Sequence, residues 1–470
     1  MSIKRILCWL VLAVAIFSLT GCGSSPADLN NGSDNENVTS DDKTPNTNNN
    51  TSRDQTPNNN TSGDQAPNNN TDTGTDTTDD ADVNSAGGDN LTYTVTSGHA
   101  IAVSSGNPVY TNLKVYKTGD ASTSSYFGMS ANNDDYDWKG TNAAIIARGG
   151  ATITISGDSI ISTDGSYANA VFSYGGNLNG SNSGDGTTVK IYNATITTLS
   201  NNSGGLMTTG GGVMEAEDLT ITTSGGSSAA IRSDKGGGAV NVTGGTYTTN
   251  GQGSPAVYST AKITVDAADL ISNKAQGVVI EGGNSVTITA SNINANHNTL
   301  NGQDSTHQAI LIYQSMSGDA SDGSSSFSMT DGSIINAEGD IFCVTNTTCT
   351  ISLEGVEITN NDSSGNFLRA AAQNWGSSGS NGGNVTLNAN EQVITGNILV
   401  DSSSSLTMNL TSSSFSGAIN PSSQSGTVNV TLDSASTWTL TGNSYVTSLT
   451  NNGGTIEKGS YNLYVNGTAY

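Results

Sequence analysis

Charge is what this sequence has least of. Asp, Glu, Lys and Arg make up 12% of its 470 residues, about half the usual globular share. That excludes charge-laced coiled coils and helical bundles. Bases are the scarcer sign: 15 Lys and Arg stand against 40 Asp and Glu, a formal net charge of −25. No basic face is available to grip a phosphate backbone, so nucleic acid is not an expected partner. Seven Pro without a Gly-X-Y period exclude collagen. Hydrophobic residues reach 33% and aromatics 6%, too little for a thick core along the whole chain. Either part of the chain does not fold or the core is thin.

What is present begins with Lys4 and Arg5 and an apolar run over residues 6–17, too short for a comfortable transmembrane helix. Leu19-Thr20-Gly21-Cys22 follows, then Gly23-Ser24-Ser25. Residues 1–21 resemble a bacterial lipoprotein signal peptide. The resemblance implies cleavage before Cys22, a diacylglycerol thioether on that thiol, and attachment to a membrane through the lipid. Cys8 leaves with the signal. Gly23 follows the lipid Cys in place of the Asp that would resemble an inner-membrane retention signal, so the expected location is the outer membrane or cell surface of an exporting cell.

Residues 22–90 carry the lipidated Cys22 and a tract of Asn, Thr, Asp, Ser and Gly. A short period shows in Thr56-Pro57-Asn58-Asn59-Asn60 and Ala66-Pro67-Asn68-Asn69-Asn70. Almost nothing here can be buried, so a disordered tether is expected, extended by 13 acids against Lys43 and Arg53.

From residue 91 the pattern becomes Ile/Val/Thr alternation punctuated by Gly, Asn, Asp and Ser, with no helical period. A small residue and then an apolar one recur at Ala144-Ile145, Ala170-Val171, Gly205-Leu206, Ala230-Ile231, Ala256-Val257, Gly277-Val278 and Ala309-Ile310. The series continues at Asp340-Ile341, Asn366-Phe367 and Asn397-Ile398. Each start is followed by two further β runs, such as Thr152-Ile153-Thr154-Ile155 and Ser159-Ile160-Ile161-Ser162. Three strands per repeat with variable turns predict an all-β, right-handed parallel β-helix of ten or more coils. A β-sandwich array fits a single ten-member ladder less well. The predicted divisions are an N-terminal cap over 91–141, coils over 142–430 and a C-terminal cap over 431–470. With Ala230-Ile231-Arg232-Ser233-Asp234-Lys235-Gly236-Gly237-Gly238 and Tyr313-Gln314-Ser315-Met316-Ser317-Gly318 as carrying segments, 142–470 resembles the pectate-lyase-like β-helix superfamily. It is most similar there to adhesin-like bacterial surface proteins. That resemblance speaks to fold and little to activity.

Strand alternation assigns faces. With Ile231, Val257 and Val278 inward, Arg232 and Tyr258 point outward, and the next outward column holds Tyr174, Asp234, Glu281 and Tyr313. Rings beside acids and an Arg suit a glycan platform. The expected role is therefore non-catalytic binding of polysaccharide or cell-surface glycan by a monomeric protein, through Tyr174, Arg232, Asp234, Tyr258, Glu281 and Tyr313. A lyase or glycoside hydrolase would rest on Asp234 and Glu281, two rungs apart. The Gly-His-Gly and Arg-Ile-Lys motifs of polygalacturonase-like enzymes are absent from the folded region, and so is Trp-Ile-Asp-His. A stalk without a ligand is the third reading.

No cofactor is expected. The weak metal candidates, for Ca²⁺, are Asp134, Asp135 and Asp137 in an acidic turn. Lys190 and Glu215 fall on adjacent rungs and predict an ion pair. Cys343, expected inward, and Cys349 suit either buried thiols or a disulfide. His99, His297 and His307 are expected to be solvated.

Overall fold

A computed structural model of the chain describes residues 81–470, apart from 121–124, 127–128, 131–132, 180–181, 303 and 424. The signal segment, Cys22 and the tether up to residue 80 lie outside the described residues.

One coil shows the plan. Ile231–Ser233, Gly238–Thr243 and Thr246–Thr249 are three successive strands. Their counterparts one coil on are Val257–Ser259, Lys262–Asp266 and Asp269–Ser272. Each pairs in parallel with its counterpart: Ile231 with Val257, Val240 with Ile263, Tyr247 with Leu270. First strands form an eleven-stranded sheet from Ile101–Val103 to Ile398–Val400, and most second and third strands share a 22-stranded sheet. The fold is a right-handed parallel β-helix with three strands per coil. The β-sandwich alternative fails because the stacked strands pair in parallel rather than as hairpins.

Alternate positions make the core. Ile145, Val171, Leu206, Ile231, Val257, Val278 and Ile310 stand in register down the first sheet and are fully buried. One coil buries too little to stand alone, so each depends on its neighbours. Corners are fastened by hydroxyls that repeat with the coils. Thr198, Thr223 and Thr249 each donate to the carbonyl of the Ser five residues on, at 2.5 Å. The same serines accept backbone N–H groups from the preceding coil. At the Gly277 corner a Cβ would lie 2.4 Å from Ile293 Cγ2, so only glycine lets the coil close there.

The ladder departs from expectation at two coils. Ile310 pairs with Phe342 and Phe342 with Leu368, not with Ile341 and Phe367. Ile341 and Phe367 occupy the corner position that Ala and Gly hold earlier, as their backbone bonds to the next coil show. The boundaries also shift. Val83 bridges Ala102 and Gly88–Asp89 pairs with Tyr110–Thr111, so ordered pairing begins before residue 91. Ile101–Val103 and Lys114–Lys117 pair in parallel with the coil strands Ile145–Ala147 and Ser159–Thr163. The stretch assigned to an N-terminal cap is thus already a coil, followed by an excursion that carries the short helix Asn133–Trp138. Parallel pairing likewise runs on to Leu463–Val465, with an antiparallel closure only at Thr468–Ala469.

Tyr247 takes a place in an aliphatic ladder, between Ile221 and Leu270. It is fully buried and its hydroxyl has no hydrogen-bond partner among the described residues. Burial pushes that phenol well above its ordinary value. An unsatisfied buried hydroxyl costs about 1–3 kcal/mol. Tyr247→Phe is therefore expected to stabilise the domain by about 1 kcal/mol in urea unfolding. Destabilisation by this variant would show that the hydroxyl is satisfied.

Candidate functional site

The outward residues of the first sheet stand in the expected columns. Ile146, Phe172, Met207, Arg232, Tyr258, Val279 and Leu311 are successive register partners. Outward does not mean solvated, however. Ile146, Phe172 and Met207 are buried with Ala102 and Ala143 in a second apolar cluster, against which Tyr174 packs. Val279, Leu311, Tyr313 and Cys343 form a third, against which Tyr258 and Trp375 pack. Between these clusters lies the Arg232 rung.

Arg232 is gripped from both sides. Its Nη2 is 2.7 Å from Asp234 Oδ2 and 3.3 Å from Asp137 Oδ1. Asp137 comes from the helix Asn133–Trp138, which the excursion lays over the sheet. Trp138 on the same helix receives Lys235, whose Nζ sits 4.1 Å from the ring centroid. Thr209 donates to the Trp138 carbonyl at 2.6 Å and fixes the helix end. Asp234 is 5% exposed, and its other oxygen accepts the Lys235 N–H at 2.9 Å. Burial pushes its carboxyl upward, opposed by the guanidinium.

Glu281 follows one rung beyond Tyr258 and is 1% exposed. Its Oε2 accepts the hydroxyls of Tyr258 and of Tyr313, the latter at 2.8 Å. Burial pushes the carboxyl up, and the hydroxyls of Ser315, Tyr258 and Tyr313 pull it partly back. Its Oε1 makes no hydrogen bond of ordinary geometry among the described residues. Both phenols are held well above their usual range by burial and by this carboxylate.

Above this floor is a cleft of about 230 Å³. Arg232, Tyr258, Val279, Leu311 and Tyr313 form the floor. One wall carries Asn301, Gly302 and Asp304 from the connection between Ser285–Ala295 and Gln308–Tyr313. Another is Trp375, whose ring centroid is 4.7 Å from that of Tyr313. Beyond the strand ends a polar cleft of about 330 Å³ includes Lys235, Asn182, Asn284 and Asp319.

The structure thus gathers Arg232, Asp234, Tyr258, Glu281 and Tyr313 but leaves Tyr174 in the other cluster, outside the cleft lining. Asp234 and Glu281 are not in the cleft lining either. Sequence reasoning missed Trp375 and Asp304, and it read Asp137 as a metal candidate rather than as a partner of Arg232. A lone Trp in the Gly/Ser-rich run after Arg369 was the available signal for the first.

Other expectations meet different outcomes. The acidic turn is a helix turn: Asp134 lies on it, Asp135 pairs with Lys139 at 2.7 Å and Asp137 with Arg232. No group of three His, Cys, Asp or Glu among the described residues is arranged to hold a metal. Cys343 pairs with Leu311 and so lies in the outward column, because the ladder runs through Phe342. Cys349 is in the inner core. Both thiols are free and buried rather than bridged, and burial pushes each up to about 12. Lys190 and Glu215 do pair, at 2.7 Å. None of the histidines is fully exposed: His297 is buried, and His99 and His307 are half-buried. His99 Nδ1 lies 2.7 Å from the Ala143 carbonyl, and burial pushes the ring down to about 3. His297 is fully buried, with Nε2 3.4 Å from Asp304 Oδ2 and its ring 5.3 Å from that of His307. Burial pushes His297 down to about 4 and Asp304 up to about 6.

Comparison with protein-family models, with curated proteins and with solved structures finds no match to this chain.

Proposed function

We propose that this protein is a non-catalytic glycan-binding member of the pectate-lyase-like β-helix superfamily, held at the outer membrane or cell surface by a lipid on Cys22. The carrying observation is the Trp375–Tyr313 ring pair over a cleft of about 230 Å³. Aromatic faces take the apolar faces of sugar rings, and polar groups at their edges take hydroxyls. The volume lies below the roughly 300–1,000 Å³ of drug-sized pockets, so it suits one ring-sized unit of a longer chain. Repeated weak contacts would then supply avidity.

The carboxylates favour binding over hydrolysis. An inverting pair needs one free acid and one free base with a water between them. Asp234 has one oxygen on the Arg232 guanidinium and the other on the Lys235 N–H. Glu281 is covered by two tyrosines. Asp234 thus acts as the positioning residue of Arg232, and the rings rather than Asp234 or Glu281 line the cleft.

Trp375→Ala is expected to weaken binding of a glycan found on an array by about thirtyfold, the scale of an interfacial Trp hot spot near 2 kcal/mol. Titration of wild type and variant measures it, with circular dichroism confirming the fold. An array without a hit, repeated with Ca²⁺, contradicts the reading. For the anchor, Cys22→Ala is expected to abolish palmitate labelling and release the chain from the membrane fraction. Retention of label in that variant contradicts the lipid assignment.

A further inference from the structure

The charges around the cleft do not balance, and the imbalance says what class of sugar fits. Arg232 is the one base in the cleft lining among the described residues, and it already has two carboxylates, Asp234 and Asp137. Two more buried carboxylates remain. Glu281 lies behind Tyr258 and Tyr313, outside the cleft lining, and its charge is met by the hydroxyls of Ser315, Tyr258 and Tyr313 rather than by a base. Asp304 lines the wall, with a side chain 7% exposed. Its neighbours are the neutral amide of Gln276, which donates at 3.0 Å, the His297 ring, and His307, which together with Gln276 and the backbone at Asn301 offsets only part of the upward push of burial. The His297 ring is pushed down to about 4 by burial and by His307, so it is neutral near pH 7 and offers no compensating charge.

A buried carboxylate without a cation is costly, and a cation delivered from outside relieves that cost. The same cleft presents the rings of Tyr258, Tyr313 and Trp375. Aromatic faces attract ammonium groups through the ring quadrupole. Acid and ring point to one ligand chemistry. We infer that the cleft takes a sugar unit carrying a free, cationic amine in preference to its N-acetylated or uronate counterpart. This rests on the glycan reading above and names its ligand class. A uronate would add a further anion beside Asp304, over the tyrosines that hide Glu281. An N-acetyl sugar would leave both uncompensated.

The test is calorimetric titration of the full chain at pH 6.5 with three tetramers: glucosamine, N-acetylglucosamine and galacturonate. At that pH the Asp304 carboxyl, pushed up to about 6 by burial, is mostly ionised. The glucosamine tetramer is expected to bind about tenfold more tightly than its acetylated form, the effect of one compensated charge. Glu281→Gln and Asp304→Asn, each tested separately, are expected to shrink that ratio below about threefold. Equal or tighter binding of the acetylated or the galacturonate tetramer overturns the inference while leaving the glycan reading in place. A ratio unchanged in both folded variants overturns it as well. Failure of all three tetramers to bind, with a hit elsewhere on the array, also overturns it. Failure of every glycan overturns the reading on which it rests.

Discussion

Seven coils in succession, from Ile145 to Ile310, stack without a slip in the first sheet, and the rest of the molecule is arranged around that parallel register. Parallel pairing at about 4.8 Å brings residues far apart in sequence side by side. It puts Arg232 next to Tyr258 and Glu281 next to Tyr313. No local motif could assemble this set, because each member comes from a different coil. The inner ladder is indispensable for the same reason. It fixes the register, and a one-residue shift would turn every outward group into the core.

The second constraint is cover. A bare sheet face in water would leave Asp234 and Glu281 as ordinary solvated acids. Here the connection bearing Asp304 and the loop bearing Trp375 wall a cleft above these buried acids, and the helix Asn133–Trp138 sets Asp137 on Arg232. Desolvation raises both carboxyls, and Arg232 and the two tyrosines answer only part of it. The protein has built an electrostatic deficit into a rigid scaffold. Carboxyls perturbed by burial and a specific charge partner gather at functional sites.

The coil pattern was legible because it is periodic. Strands such as Thr152–Ser156 and Lys262–Asp266 alternate cleanly, and the small-then-apolar start marks each coil. That same cue misled at Asp340-Ile341 and Asn366-Phe367. Large side chains there fill the corner, and the true ladder position is one residue on. Cys343 went to the wrong face as a result. The columns containing Arg232, Tyr258, Glu281 and Tyr313 were readable. The cover was not: Asp137, Asp304 and Trp375 sit in segments without a period, and nothing local tells where such a loop lies down. His297 looked solvated for that reason, although it is buried among the residues that wall the cleft.

We propose sugar binding at the cleft floored by Arg232, Tyr258, Val279, Leu311 and Tyr313. A crystal structure of the protein soaked with a bound oligosaccharide tests it most directly. The account predicts density for one sugar ring packed against Trp375 and Tyr313, with its polar edge toward Asp304 and Arg232. Well-defined sugar density elsewhere, with this cleft empty, would contradict it.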